Sequence, residues 1–280
     1  IKDNKLLANQ KKEIQEISKQ LQESSKRKLD FFTNISHEIR TPLTLIKSPL
    51  ERILKANNKG FETDSQLQIA LNNTNKLKEL LNQILDLQKL DEKMLGLDLT
   101  SFELIAFCRE IINSFEGYCY QSNCGLKFES NIGEAVVRFD QIRLRSIMNN
   151  LISNAFKYNV QGGWVQIKIE ITVSLIKLEI KDTGIGIADE HLSRIGERYY
   201  QVERPNASSE GTGIGLAYVK ELVDLMKGEF EITSAVNEGT TVTVNLPCNE
   251  IDVLKEFPIR KEIKPKEQIF QTTPRTFPVF

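Results

Sequence analysis

Apolar residues recur at helical spacing through the first part of the chain. Leu7, Ile14 and Leu21 are seven residues apart, with Ile17 at an intermediate position and mostly charged or amide side chains around them. A seven-residue apolar repeat is typical of a short coiled coil. The repeat runs into a second apolar stripe, made of Phe32, Ile35, Ile39, Ile46 and Ile53. The pattern predicts one long helix over residues 1–57 with a buried stripe.

The long helix contains two prolines and has a stop signal at its end. Pro42 and Pro49 each remove a backbone donor, so we expect each of them to bend the helix. Residues 57–60 read Asn-Asn-Lys-Gly, a composition that favours a helix C-terminus. The helix is therefore predicted to end there.

A second helix is predicted over residues 64–93. Its buried positions follow a three-four alternation at Leu67, Ala70, Thr74, Leu77, Leu81 and Ile84. Two such helices form a hairpin that cannot cover both apolar stripes by itself, whereas two hairpins form a four-helix bundle. The pattern therefore predicts a homodimer, with a coiled coil over residues 1–25 and a dimerisation domain over residues 26–93.

From about Met94 onward the pattern changes to mixed helix and strand. Period-two alternation predicts four strands, at 165–171, 175–180, 230–232 and 241–246. Helical periodicity predicts helices at 102–117, 140–158 and 214–227. Strands with one polar face and helices on the other indicate a two-layer α+β sandwich over residues 94–249. Residues 250–280 are rich in Pro, Lys and Thr without periodicity, and we predict a linker.

Charge and hydropathy exclude some classes of partner. The formal net charge of −1 provides no general attraction to nucleic acid or to an anionic membrane. No apolar run approaches the length of about 18 residues that a membrane span requires. The chain begins at Ile1 rather than at Met. We therefore expect a cytoplasmic piece of a larger protein, without membrane contact of its own and with an anchor upstream.

Four cysteines are present, and none forms a C-x-x-C pair: Cys108, Cys119, Cys124 and Cys248. With only two histidines in the chain, no zinc-binding pattern appears. Cys119 and Cys124 are near in sequence, but structural thiols in a reducing compartment are the predicted state.

Residues 31–43 contain the most informative chemistry. His37 lies roughly 160° from Ile39 on a helical wheel, so its ring is predicted to face solvent. Glu38 is its neighbour, and Thr41 lies one helical turn on, on the face of His37. A solvated histidine beside a carboxylate can act as a nucleophile because the acid can take the ring proton. The alternative, which an isolated His-Glu pair would favour, is an ordinary surface histidine.

A predicted helix presents a polar face with amides and a lysine. Asn150, Asn154 and Lys157 stand at i, i+4 and i+7, on one side of the helix. A carboxamide oxygen suits Mg²⁺, which keeps most of its waters, and a lysine one turn on can meet a phosphate. The alternative is a plain polar surface.

Two glycine-rich segments follow, although the P-loop motif G-x-x-x-x-G-K-[ST] is absent. Residues 182–187 come directly after a strand, where Asp182 could accept a hydrogen bond from an exocyclic amine such as that of adenine. Residues 211–216 directly precede a helix, whose free backbone donors can bind phosphate. The alternatives are a tight turn and a flexible loop. The polar residues 202–210 are typical of a mobile lid.

Taken together, these segments resemble the sensor histidine kinases. Residues 31–43 resemble their H-E-x-x-T phosphoacceptor box, whose histidine takes a phosphoryl group from ATP and passes it to an aspartate on a receiver domain. The asparagine face and the two glycine segments resemble, in order, the N, G1 and G2 boxes of the Bergerat-type ATP fold. Residues 237–241 resemble the closing G3 turn. The resemblance covers roughly residues 1–247.

The resemblance implies a role for each matching residue. His37 would be the nucleophile, Glu38 the proton acceptor, and Thr41 the residue that positions a water for receiver dephosphorylation. Asn154 would bind Mg²⁺, with Asn150 supporting the metal site. The implied ATP-binding set is Asn150, Asn154, Lys157 (phosphate), Tyr158 (adenine face), Asp182 (adenine), Gly184, Gly186, Gly211, Gly213, Gly215 and Thr240. ATP and Mg²⁺ are the implied cofactors, and a response-regulator receiver, in cis or in trans, is the implied partner.

One position departs from the family pattern. Members of the family often have a Phe-Tyr-Arg segment before the lid, whereas here Gln201 stands in place of the arginine. Arg198 is the residue that could supply the missing charge.

Two other functions compete with kinase activity. A gyrase-type ATPase shares the fold, but its water-activating glutamate would stand at Asn150, so ATP should survive until a histidine attacks it. The other alternative is a non-catalytic dimeric scaffold.

Overall fold

The computed structural model describes residues 2–56, 61–198, 200–202, 213–255 and 258–264. The chain divides into two compact units. The first comprises residues Ile1–Leu97 and Glu190–Leu225, and the second comprises residues Asp98–Asp189 and Met226–Phe280. Among the described residues, no helix is both long enough and apolar enough to cross a membrane.

The first unit begins with a helical hairpin. Helix α1 spans Lys2–Ala56 and α2 spans Phe61–Asp91, which confirms both predicted helices. Pro42 and Pro49 lie inside α1 and are buried. The predicted stop signal at residues 57–60 lies outside the described residues.

The face of α2 that is buried within one chain differs from the predicted stripe. Ala70 is buried as expected, but Leu67 and Leu81 are 47% and 44% exposed. Asn73 is buried instead, because its Nδ2 donates to the Ile69 carbonyl at 2.8 Å and so keeps a hydrogen bond within its own helix. The stripe was drawn from residue type alone, and residue type does not specify which side of α2 lies against α1 within one chain.

The remainder of the first unit is a second helical segment. The short helix α6 spans Asp189–Leu192 and leads into it, and α7 spans Gly215–Leu225. Helix α7 contacts α2. Tyr218 and Leu222 are among its buried residues.

The second unit contains two sheets. The small sheet has the order β1-β3-β8, with β1 at Thr100–Glu103, β3 at Glu134–Phe139 and β8 at Ile251–Lys255. The large sheet has the order β6-β7-β5-β4-β2-β9. Its strands are β2 (Gly125–Ser130), β4 (Trp164–Ile171), β5 (Leu175–Asp182), β6 (Glu229–Ala235), β7 (Gly239–Pro247) and β9 (Ile259–Ile263). The β2–β4 pair is parallel, and the other pairs of the large sheet are antiparallel.

One face of the large sheet is covered by helices. Helix α5 (Gln141–Lys157) packs on β4 and β5, and α4 (Glu116–Ser122) contacts β2. Strands β4 and β5 alternate strictly between buried and partly exposed positions over most of their length, so Ile167 and Ile180 face the core while Lys168 and Glu179 do not. The α+β class and the two-layer arrangement are therefore confirmed. The predicted helix at 102–117 is in fact β1 and α3 (Leu104–Ser114) followed by the start of α4.

The prediction of a linker from residue 250 is wrong for residues 251–255 and 259–263. Strand β8 pairs with β3, and β9 pairs with β2. Each of these strands is five residues long and rich in charged side chains, so its alternation was too short to be distinguished from a solvated tail. Backbone pairing to the edge of a preformed sheet supplies the missing stabilisation. Residues 265–280 lie outside the described residues.

All four cysteines are free and buried. Burial raises the pKa of the Cys119 thiol to about 11, and burial likewise raises the pKa of Cys108 and of Cys248. The thiols of Cys108, Cys119 and Cys248 therefore stay protonated at neutral pH, in accord with the structural role that the sequence predicted.

Candidate phosphoacceptor segment and nucleotide site

The phosphoacceptor segment lies within α1. The backbone at His37 and Glu38 is helical, and their side chains lie outside the described part of the structure. Ile35 is buried and Ile39 is half-buried, as the predicted stripe requires, whereas Thr41 is exposed. The helix therefore buries its apolar side and leaves the threonine accessible to a partner.

Helix α5 carries the polar face with the two asparagines. The helix begins at a buried cap, because the Asp140 carboxylate accepts hydrogen bonds from the backbone N–H of Arg143 at 3.0 Å and of Asp98 at 2.9 Å. Its apolar side is buried on the sheet. Asn150 and Asn154 are half-buried on the opposite side, and Asn150 Nδ2 donates to the Ser146 carbonyl at 2.7 Å. The cap and the buried side together fix the direction of the polar face.

The end of α5 contacts the glycine loop that follows β5. Lys157 Nζ lies 5.2 Å from the centre of the Tyr158 ring, and the Tyr158 carbonyl accepts a hydrogen bond from Ile185 N–H at 3.1 Å. A Cβ atom on Gly184 would lie 2.2 Å from the Tyr158 carbonyl oxygen, so only glycine permits this approach. The predicted N and G1 boxes are therefore neighbours in the second unit.

Asp182 stands at the end of β5 and is only 8% exposed. Its Oδ1 accepts hydrogen bonds from Gly184 N–H at 2.8 Å and from Thr240 N–H at 3.2 Å. Both donors use the same oxygen, and Oδ2 receives no hydrogen bond from the described residues. Burial raises the pKa of this carboxyl, and the two backbone hydrogen bonds oppose that shift. Asp182 is thus a fixed, largely dehydrated acceptor.

The turn between β6 and β7 closes over the same loop. Gly186 has a φ of 65° and Gly239 a φ of 92°, a region that favours glycine. A Cβ atom at Gly186 would lie 1.9 Å from the Ala235 carbonyl oxygen, and one at Gly239 would lie 2.0 Å from the Asp182 carbonyl oxygen. The backbones of the G1 loop and of the β6–β7 turn are therefore in direct contact.

Residues 213–216 of the predicted G2 box belong to the first unit. Gly213 has a φ of 66°, and Gly215 begins α7. Gly211 and residues 203–210 of the predicted lid lie outside the described residues. The second unit contains the other predicted nucleotide-binding residues: Asn150, Asn154, Lys157, Tyr158, Asp182, Gly184, Gly186 and Thr240.

Two residues that the sequence did not single out connect these parts. Asn159 and Thr183 share a hydrogen bond of 3.2 Å between the end of α5 and the G1 loop. Thr183 lies within the glycine-rich segment 182–187 that the sequence analysis identified. No motif in the sequence indicated that Asn159 would contact a residue so distant in sequence.

Arg198 lies in the first unit between two carboxylates. Its Nη2 is 2.8 Å from Glu221 Oε1, and its Nη1 contacts Asp91 on α2. Close by in the sequence of α2, Asp86 accepts a hydrogen bond of 2.7 Å from the Tyr218 hydroxyl. These contacts link α2 with the segments 190–198 and 215–225.

Two protein-family models match the chain. The His Kinase A phospho-acceptor domain matches residues 27–93, and the family of histidine kinase-, DNA gyrase B- and HSP90-like ATPases matches residues 139–250. The first match contains His37, and the second contains every candidate nucleotide-binding residue.

Individual relatives and a solved structure agree with these matches. Histidine kinase P4 of Formosa agariphila is 34% identical over 274 residues, which cover 93% of this chain and 20% of that protein. Sensor histidine kinase WalK of Bacillus subtilis is 33% identical over 228 residues, which cover 79% of this chain and 37% of that protein. The structure of Acinetobacter baumannii histidine kinase AdeS is similar with a TM-score of 0.52 at 25% identity, covering 76% of this chain and 98% of that one.

This chain spans 20% and 37% of the lengths of these two curated relatives. Within this chain, the match to the phospho-acceptor domain precedes the match to the ATPase family. The chain therefore belongs to the sensor histidine kinases, and it comprises the phosphoacceptor and ATP-binding core of a protein histidine kinase.

Proposed function

We propose that this chain phosphorylates its own His37 with Mg²⁺-ATP and then transfers the phosphoryl group to an aspartate of a receiver domain. The observation that supports this proposal most directly is the state of Asp182. One carboxylate oxygen is occupied by two backbone donors, and the other receives no hydrogen bond from the described residues. A buried acceptor in this state matches the exocyclic amine of adenine, which is a hydrogen-bond donor.

The polar side of α5 would hold the phosphates and the metal. Among the residues that the structure describes, no three His, Cys, Asp or Glu side chains are grouped so that they could hold a metal ion. That absence fits Mg²⁺, which binds few protein groups and takes its other ligands from phosphate and water. The Asn154 amide oxygen would be the protein ligand, and Lys157 would contact phosphate. When bound, Mg²⁺ would neutralise negative charge on the phosphates.

His37 would then act as the nucleophile. Its ring nitrogen would form a bond to the γ-phosphorus while the bond from that phosphorus to the leaving ADP oxygen breaks. Glu38 would take the ring proton, so that the product is a neutral-ring phosphohistidine. The bond would be a phosphoramidate, which hydrolyses in acid and survives in base.

A gyrase-type ATPase is the competing function, and residue 150 argues against it. A hydrolytic enzyme of this fold would need a carboxylate there to accept a proton from water. The Asn150 amide cannot accept that proton, and its Nδ2 already donates to the Ser146 carbonyl. Bound ATP should therefore persist until His37 attacks it.

We infer that the hairpin forms a homodimer. Within one chain, both helices leave large apolar side chains exposed. These are Leu43, Leu45, Leu50, Leu67, Ile69, Leu71, Leu81 and Leu85, each between 39% and 55% exposed. A four-helix bundle of two hairpins would bury this surface.

We also propose that Thr41 serves the reverse reaction. Thr41 is exposed on α1, one helical turn from His37. Its hydroxyl could orient a water towards a phosphorylated receiver aspartate. The chain would thus act as the kinase and phosphatase core of a larger sensor.

Incubation with ATP labelled at the γ-phosphate tests the central proposal. We expect label on the chain that is lost in acid and retained in base, no label on the His37→Gln variant, and little on Asn154→Ala. Wild-type labelling of His37→Gln would contradict the assignment of the acceptor. An acid-stable label would indicate hydroxyl phosphorylation instead. Release of free phosphate without labelling would favour the gyrase-type function.

A further inference from the structure

We propose that Asn159 and Thr183 are positioning residues that aim the Asp182 carboxylate at the nucleotide base, so that this pair sets the preference for adenine. The inference rests on the proposed nucleotide site and concerns residues that would not touch the ligand. The supporting observation is a network of hydrogen bonds among Asn159 after α5, Trp164 at the start of β4 and Thr183 after β5.

The Asn159 side chain uses both ends of its amide. Its Nδ2 donates to the Trp164 carbonyl at 3.0 Å, and its Oδ1 accepts from Val160 N–H at 2.9 Å and from the Thr183 hydroxyl at 3.2 Å. Asn159 is half-buried, so these contacts hold its orientation against solvent. The amide thereby connects the residues after α5 with both neighbouring strands.

Thr183, which directly follows β5, forms the other half of this hydrogen-bond network. Its hydroxyl accepts a hydrogen bond from Trp164 N–H at 2.8 Å, and its own N–H donates to the Trp164 carbonyl at 3.1 Å. The hydroxyl proton has two acceptors within reach, Asn159 Oδ1 at 3.2 Å and the Trp164 carbonyl at 3.5 Å, so the hydroxyl both accepts and donates. The position of Thr183, and with it that of the preceding Asp182, is therefore tied to the end of α5.

The Gly163 backbone lies against one side of the pair, while the Thr183 side chain is exposed to solvent. A Cβ atom on Gly163 would lie 2.3 Å from Asn159 Oδ1 and 2.6 Å from Thr183 Oγ1. On the other side of the loop, Thr240 N–H holds Asp182 Oδ1. The G1 loop is thus held from two sides, by the Asn159–Thr183 pair and by the β6–β7 turn.

The consequence for binding is specific to the base. Adenine offers an amine where guanine has a carbonyl oxygen, and a carboxylate accepts a hydrogen bond from the first and repels the second. A carboxylate held in one direction therefore strengthens the binding of adenine and weakens the binding of guanine. If Asp182 could rotate, it would lose part of the adenine bond and would also avoid the guanine oxygen, so that selectivity would fall together with affinity.

The test measures the dissociation constants of the full chain for Mg²⁺-ATP and Mg²⁺-GTP by calorimetry. We expect Asn159→Ala and Thr183→Val to weaken ATP binding about tenfold, the equivalent of one lost hydrogen bond, and GTP binding much less. Thr183→Ser keeps the hydroxyl and should retain the wild-type ratio within about twofold. Thr172→Val is the matched control, because its hydroxyl, in the exposed β4–β5 turn, donates a long hydrogen bond of 3.4 Å to the Leu175 carbonyl.

The outcomes separate this inference from the proposed function. A wild-type chain that binds ATP selectively, with Asn159→Ala and Thr183→Val keeping the same ATP-to-GTP ratio, would overturn the positioning role alone. A wild-type chain without adenine preference would overturn the role of Asp182 and this inference with it. Equal losses for both nucleotides in Thr183→Val, with a lowered melting temperature, would indicate a purely structural pair. If Asn159→Ala does not fold, the comparison of Thr183→Val with Thr183→Ser still decides.

Discussion

Arg198 Nη1 lies 2.7 Å from Asp91 Oδ1, so a residue shortly before the predicted lid is paired with the last residue of α2. The guanidinium also contacts Glu221 through Nε and Nη2, and its side chain is only 24% exposed. Its charge is therefore directed at two carboxylates within the first unit. This arrangement does not favour the suggestion that Arg198 replaces the arginine that is missing at Gln201.

If Arg198 is committed to these carboxylates, its removal should hardly affect nucleotide binding. We expect Arg198→Gln to change the dissociation constant for ATP less than about threefold, and Lys157→Gln to raise it about tenfold. Because Asp91 is 59% exposed, the loss in unfolding free energy should be about 1 kcal/mol or less. Calorimetric titration with ATP measures the first effect and urea unfolding the second. A tenfold loss of ATP affinity in Arg198→Gln would mean that the guanidinium leaves Asp91 to bind phosphate.

Asp182→Asn should separate stability from binding. Burial raises the folded-state pKa of Asp182 above its ordinary value of 3.8. Its favourable contribution to stability is therefore complete below 3.8 and is lost as the pH rises through the folded-state pKa. At pH 7 the buried charge opposes folding. An asparagine keeps an acceptor for Gly184 and Thr240 without that charge.

We accordingly expect Asp182→Asn to resist urea better than the wild type at pH 7 and to bind ATP at least about tenfold more weakly. The advantage in urea should shrink as the pH falls through the folded-state pKa towards 3.8. Unfolding curves across this range, with ATP titrations at pH 7, measure both effects. A variant that is less stable than the wild type at pH 7 would show that the carboxylate is stabilised rather than strained by its surroundings.

Thr41→Ala should distinguish the forward and reverse reactions. Because Thr41 is exposed, its replacement should cost less than about 0.5 kcal/mol of stability. Autophosphorylation should stay near the wild-type level, while dephosphorylation of a phosphorylated receiver should fall about tenfold or more. The measurement follows labelled receiver in the presence of each variant, with Thr44→Ala as the matched control on the same helix. Equal loss of both reactions would point to a defect in α1 rather than in water positioning.

The exposed leucines of α2 allow a test of dimerisation that spares the hairpin itself. Leu67 and Leu81 are largely exposed within one chain, so Leu67→Glu with Leu81→Glu should leave the α1–α2 contact intact. Each leucine buried between two chains would contribute about 2 kcal/mol, so two charges there should produce monomers. Light scattering at micromolar concentration measures the mass, and Val173→Glu, at a site that is 92% exposed, is the control. A dimeric double variant would exclude this face as the interface.

Much of the architecture was already predictable from periodicity. The seven-residue repeat and the three-four alternation predicted α1 and α2, and the alternation in β4 and β5 predicted their buried faces. These signals are strong because the periodic pattern of apolar and polar residues repeats many times along a long element. The short charged strands β8 and β9 were missed because a strand of five residues contains only about two repeats of the alternating pattern.

The sequence by itself determined which residue types are available for chemistry: a histidine beside a glutamate, an asparagine face, and glycines after a strand. Local spacing suffices for such motifs because each lies within one turn or one loop. Only the tertiary structure decided that Asp182 receives both backbone donors on one oxygen and that Arg198 pairs with Asp91. It also joined Asn159 to Thr183, 24 residues away. Hydrogen bonds of this kind depend on how strands and helices pack against one another, and the spacing of residues along the chain does not specify that packing.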